Sequence, residues 1–188
     1  MYKRQIDNNA YKIVILLRNK PLKCNMEELL GKISSYNLFT NLLPGILYVI
    51  ILKELTGFDL TFGPVFLGLF FYYFIGVVIN RIGSVIIEPL LIKCKFVTFI
   101  EYPIFIKACK SDAKIETLSE NNNMCRSLVA LCLALLISIG YEQLIIKFPF
   151  IGDYNSVIIL IGLLLIFIFS YRKQTNFISK RCKADLEE

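Results

Sequence analysis

The run Val157-Ile-Ile-Leu-Ile-Gly-Leu-Leu-Leu-Ile-Phe-Ile-Phe169 decides how the rest of the chain is read. It is apolar on every face. A helix at a water-facing surface needs a polar stripe, and this one has none. Lipid is the solvent that suits it, because a helix satisfies its own backbone hydrogen bonds and can present apolar side chains all round.

The uncharged stretch around this run extends from Tyr154 to Tyr171, between Asp153 and Arg172. A hydrocarbon core about 30 Å thick needs roughly 20 helical residues. Three further stretches free of Asp, Glu, Lys and Arg approach that length: Ile33–Leu52, Leu60–Asn80 and Ser127–Tyr141. The last is short and is expected to reach back through Met124 and Cys125, with Arg126 snorkelling to the surface. The predicted fold class is an all-α integral membrane protein, four transmembrane helices with a helical cytoplasmic loop. The expected parts are a cytoplasmic N-terminal segment with an interfacial helix (1–35), a four-helix membrane domain (36–171) whose cytoplasmic loop is 81–126, and a basic cytoplasmic tail (172–188).

Composition agrees with this reading. Of 188 residues, 56% are hydrophobic and 19% charged, and mean hydropathy is +0.61. Soluble globular chains carry about 25% charged residues. The charges also alternate along the chain. Segments 1–32, 81–126 and 172–188 hold 19 of the 21 Lys and Arg residues. Basic segments stay inside, so both termini and the 81–126 connection are expected on the cytoplasmic side of the membrane. Cys24, Cys94, Cys109, Cys125 and Cys182 fall on that reducing side and Cys132 lies within the third span; none forms a C-x-x-C pair. Met1-Tyr-Lys-Arg is followed by too short an apolar stretch to be a cleavable signal.

The polar residues of interest gather where the second and third spans enter the cytoplasm. Asn80, Ser84 and Glu88 recur every fourth residue, which puts them on one face of a continued helix, with Arg81 nearby. Pro89 is expected to end or bend that helix. Across from it stand Glu120, Asn122, Asn123 and Arg126. These eight residues form the candidate gate or docking cluster, with Glu88–Arg126 and Arg81–Glu120 as the natural ion pairs. Ion pairs and caps that merely hold two helices together account for the same pattern.

Small residues mark helix packing: Gly68 and Gly76 in the second span, and Ala130, Ala134 and Ser138 at four-residue spacing in the third. In the first span, Pro44 either kinks the helix or stands in the first turn of a span that begins near Asn41. No charge lies inside any span, which argues against a proton-coupled transporter.

Chemistry is poorly represented. There is no His, P-loop, G-x-S-x-G or G-x-G-x-x-G, so the expectation is a non-enzyme with no catalytic residue, cofactor or metal. Four spans leave little room for a pore, so a channel would need several copies of the chain.

Phe70-Phe-Tyr-Tyr-Phe-Ile-Gly76, Asn80-Arg-Ile-Gly-Ser84, Ile87-Glu-Pro89 and Leu118-Ser-Glu-Asn-Asn-Asn-Met124 with Arg126 resemble a group of small four-span bacterial membrane proteins of antiphage defence. The transmembrane subunit of the Kiwa system and channel-type effectors are of this kind. The resemblance implies an oligomeric inner-membrane component that senses infection and signals to a cytoplasmic protein partner. The alternative it implies is a ligand-gated channel or membrane-disrupting effector, controlled by a nucleotide signal at the cytoplasmic loop. It assigns no functional residues. The basic inner side would suit a nucleotide or nucleic acid and equally anionic lipid headgroups.

Overall fold

The structure is a computed structural model and describes residues 36–186. The expected interfacial helix before the first span lies outside the described residues. The elements among them are all helices, joined by short loops, with no strand. Seven α-helices follow in order: α1 (Tyr36–Leu55), α2 (Val65–Ile82), α3 (Glu88–Lys93), α4 (Tyr102–Ser111), α5 (Lys114–Lys147), α6 (Phe150–Asp153) and α7 (Asn155–Leu186). A five-residue π-helical segment, Gly83–Ile87, joins α2 to α3 without a break.

Three helical stretches are long and apolar enough to cross a membrane: Val65–Lys93, Lys114–Lys147 and Asn155–Lys183. Their lipid-like faces are plain from exposure. Val65, Phe66 and Phe70 of α2, Leu136 and Ile137 of α5, and Leu160 and Leu164 of α7 all stand outside the bundle. A water-soluble chain does not expose so much contiguous apolar surface.

The core lies where α1, α2 and α5 meet. Leu52, Ile79, Ile87, Ala130, Leu131 and Leu135 are buried together. Among the described residues, α1 and α2 cross at very close range. A Cβ added to Gly76 would fall 1.6 Å from the Asn41 carbonyl oxygen, and one added to Gly45 would fall 1.8 Å from the Tyr72 carbonyl oxygen. The two backbones touch, which only glycine permits. Gly76 was expected to pack; Gly45 joins it. Pro44 lies well inside α1 and is fully buried against this crossing, so the helix does not begin at Asn41. Gly68 is buried against Phe62 and Tyr72 of its own neighbourhood.

On α5 the small residues face inward. Ala130 and Ser127 are completely buried, and Gly83 approaches Ala130 Cβ and the Arg126 carbonyl, each 3.3 Å from where its own Cβ would stand. Ala134 and Ser138 are half-buried, and Ser138 shares a 2.7 Å hydrogen bond with the Tyr48 hydroxyl of α1.

Polar contacts mark the two ends of the apolar zone. At one end the Gly57 amide donates to Glu142 (2.6 Å), and the Tyr141 hydroxyl donates to Asn155 (2.9 Å). The other end is the cluster around Glu88. Glu142 to Arg126 along α5 is about 24 Å, and Asn155 to Lys173 along α7 about 27 Å, close to a hydrocarbon thickness.

Beyond that second layer the helices continue. α5 carries 34 residues and α7 carries 32, each about 50 Å long. The α7 helix does not stop at Tyr171; the expected tail is its unbroken extension. Within the 81–126 connection, Tyr102–Ser111 is α4, and the 114–126 segment is the first third of α5. The 81–126 connection is thus mostly helix.

Pro89 does not end its helix either. The chain passes it in π register, the Glu88 amide donating to the Gly83 carbonyl five residues back. Termination comes at Lys93, where Phe96 N–H bonds the Leu91 carbonyl (2.9 Å) and Lys95 N–H bonds the Ile92 carbonyl (3.0 Å). Lys95 sits in the left-handed conformation (φ 57°), a place usually taken by glycine.

Candidate functional site

The π segment creates an orphan. The Ser84 carbonyl would accept from residue 88 in an α-helix or from residue 89 in a π-helix. The Glu88 amide is already committed to Gly83, and Pro89 has no N–H. A buried backbone carbonyl left without a donor is costly. Lys173 of α7 supplies one: its Nζ donates to the Ser84 carbonyl at 2.6 Å.

The same ammonium donates to Glu88 Oε1 at 2.7 Å. The other carboxylate oxygen, Oε2, takes Nη1 of Arg126 from α5. Nη2 of Arg126 donates to Asn80 Oδ1 (3.3 Å), and Asn80 Nδ2 donates to Asn41 Oδ1 on α1 (3.0 Å). One unbroken polar chain, Asn41–Asn80–Arg126–Glu88–Lys173, therefore links all four long helices. Its charged members are only 15% (Glu88), 21% (Arg126) and 24% (Lys173) exposed. Two cations share one anion, so the triad is net positive. Arg126 Nε is buried and makes no hydrogen bond among the described residues.

Of the eight residues expected in the cluster, Asn80, Ser84, Glu88 and Arg126 are brought together. Arg81 is half-buried on α2 but does not join them. Asn123 contributes its carbonyl, which accepts the Ser127 hydroxyl at 3.1 Å. Asn122 is exposed and Glu120 half-buried, one to two turns further along α5. The residues missed from sequence are Asn41 and Lys173. Lys173 was hidden by its position just past a greasy run, where a cation reads as a topology anchor. The available signal was Pro89, five residues after Ser84 in an otherwise continuous helix.

Both oxygens of the Glu88 carboxylate are thus taken by cations from two other helices. What the arrangement can do is couple motions: α7 cannot slide or rotate against α2 without breaking bonds at Ser84 and Glu88. Aromatic contacts extend the coupling outward, with Lys173 over the Phe177 ring (5.7 Å) and Phe177 against Tyr102 of α4 (6.2 Å between centroids).

At the opposite end, Asp59 accepts from Lys53 (2.8 Å) and from the Thr61 hydroxyl (2.6 Å). The bond from Lys53, then those from Thr61, hold the Asp59 carboxyl well below the usual carboxylate range. Cys94, Cys109, Cys125, Cys132 and Cys182 are free thiols. Among the described residues no three of His, Cys, Asp and Glu converge.

Comparison of the chain with protein-family models, with curated proteins and with solved structures finds no match.

Proposed function

We propose that the chain is a non-enzymatic, four-span protein of the bacterial inner membrane that passes a change felt in the bilayer to a soluble cytoplasmic partner. In this reading α1 is the fourth span, and the basic side, with α3, α4 and the ends of α5 and α7, faces the cytoplasm. The single observation that carries it is the Glu88 carboxylate gripped by α5 and α7 together. It ties the helices where they leave the apolar zone, so displacement of one within the membrane is transmitted to the helical projections beyond it.

The resemblance to small four-span proteins of antiphage defence supports infection sensing as the setting. The exposed apolar face of α7 supports assembly of several copies side by side in the membrane.

Two experiments test this. Reporter fusions at both termini should be active in the cytoplasm, and fusions within residues 57–63 should be periplasmic; periplasmic termini overturn the topology. Cells carrying the gene with its neighbours should resist phage, and Glu88→Gln should restore plaques while the protein still accumulates in the membrane. Equal phage plating with and without the intact genes removes the defence role.

A further inference from the structure

We infer that the loop after Lys93 is a lipid-reading element: Phe96, Phe99 and Ile100 enter the inner leaflet while Lys93 and Lys95 bind anionic lipid headgroups. The inference rests on the membrane reading above.

Phe96, Phe99 and Ile100 are 79%, 57% and 61% exposed, three large apolar side chains within five residues. Among the described residues nothing covers them, and Lys93 and Lys95 are both exposed. Solvation by water suits none of the three.

Their height along the bundle is set by contacts on both sides. Lys93 stands five residues past Glu88 on a continuous helix, about 7.5 Å along the axis. Tyr102, which closes the loop, packs on Phe177 at 6.2 Å between ring centroids. Phe177 is four residues past Lys173, about 6 Å along α7. The loop is therefore tethered at both ends roughly 6–8 Å beyond the ion-pair layer. The headgroup region is about 5–7 Å deep on each side of the hydrocarbon. With the ion-pair layer at the hydrocarbon edge, the loop lies at headgroup depth.

Its turn suits that depth. The left-handed Lys95 reverses the chain at the end of α3, so that Phe96 to Ile100 do not continue the outward course of the helix. Leu90 and Ile92, on the helix just before, are also exposed, so the apolar surface is continuous from the span into the loop. Aromatic rings beside lysines are what an interface with acidic lipid takes: apolar bodies inserted, cations at the phosphates.

The chain contains no tryptophan, so Phe99→Trp gives a fluorescent reporter without background. The full-length variant is placed in nanodiscs of phosphatidylcholine alone or with phosphatidylglycerol. The expected result is blue-shifted emission, quenched by lipids spin-labelled near the headgroup and more strongly when phosphatidylglycerol is present. Removing cations with Lys93→Gln and Lys95→Asn should lower the odds of lipid contact about fivefold each. A parallel Ile161→Trp variant, on the exposed apolar run of α7, checks the membrane reading itself. If the α7 reporter is quenched by lipid while the loop reporter is quenched only by aqueous iodide, the proposal falls and the membrane reading stands. If the loop reporter is shielded from both quenchers, a second copy or another protein covers it, and the proposal falls. Equal quenching in the two lipid mixtures also overturns it. If neither reporter meets lipid, both readings fall together.

Discussion

Lys173 Nζ stands 2.6 Å from the Ser84 carbonyl oxygen, filling a backbone vacancy made by Pro89 five residues further on. The proline and the lysine are thus two halves of one feature, although they lie on different helices. This gives a prediction that a simple ion pair would not. Lys173→Met should destabilise the protein by about 2–4 kcal/mol, since it orphans a buried carbonyl and half-strips a buried carboxylate. In a Pro89→Ala background the N–H is restored, the helix can satisfy its own carbonyl, and Lys173→Met should cost about 1 kcal/mol less. Thermal unfolding of the four variants in detergent measures the coupling; additive losses would mean that the Ser84 contact contributes nothing.

Glu88 balances Arg126 and Lys173 at once. Glu88→Gln leaves two partly buried cations facing each other, and a loss of about 3 kcal/mol is expected. Combining Glu88→Arg with Arg126→Glu rebuilds one pair and places the new guanidinium near Lys173. The double exchange should therefore recover part of the stability lost in each single variant, never all of it. Adding Lys173→Met to the double exchange should recover more, because it removes the remaining repulsion. The same thermal measurement decides this, and a double exchange no better than the singles would refute the pairing.

The legible parts of this molecule were those written locally. Val157–Phe169 declared its solvent by having no polar face, and Asn80, Ser84 and Glu88 declared a shared face by their spacing. Gly76 and Ala130 were readable as packing positions. Other features depend on what a distant helix brings. Gly45 has no small-residue partner at helical spacing in its own span, and its role emerges only when α2 is laid across it. Lys173 is 85 residues from Glu88, and nothing on its own helix announces a partner. The π register leaves no mark in propensity; its trace is a proline that a continuous helix tolerates only if another group feeds the freed carbonyl. The extension of α5 and α7 past the apolar zone was half visible, because polar sequence says that a helix leaves lipid and not that it stops.

Lys95 pays a conformational penalty in its left-handed turn. Lys95→Gly should raise stability by about 0.5–1 kcal/mol in neutral detergent, where the lysine has no acidic lipid to bind. Lys95→Val, branched at Cβ, should lower it. Paired unfolding curves test the sign of each.

The Asp59 carboxyl titrates below its unfolded range because Lys53 and Thr61 favour the charged form. A lowered folded-state value adds stability that is complete above about pH 4 and is lost only as pH falls further. Stability between pH 8 and pH 5 should therefore not depend on this contact. The group is fully exposed, so Asp59→Asn should move the unfolding temperature very little at pH 7. A comparison of wild type and variant across pH 3–8 checks this, the small gap between the two curves staying constant above about pH 5 and narrowing only toward the acid end.

The glycines offer the sharpest test of the α1–α2 crossing, because the same substitution has opposite expected signs at different sites. Gly76→Ala puts a methyl group 1.6 Å from the Asn41 carbonyl oxygen and Gly45→Ala puts one 1.8 Å from that of Tyr72. Both obstacles are backbone, so neither can swing aside, and the helices must separate. Separation also stretches the Asn80–Asn41 hydrogen bond that ties α1 to the buried polar chain. A loss of about 3 kcal/mol or more is expected for each, larger than a typical point mutation. At Gly140 and Gly162 a Cβ meets nothing within 4 Å. There the only effect is on helix propensity, and alanine should be neutral or stabilising by up to about 1 kcal/mol. Unfolding of the four single variants separates the cases. Equal, small effects at all four positions would show that α1 and α2 do not meet backbone to backbone.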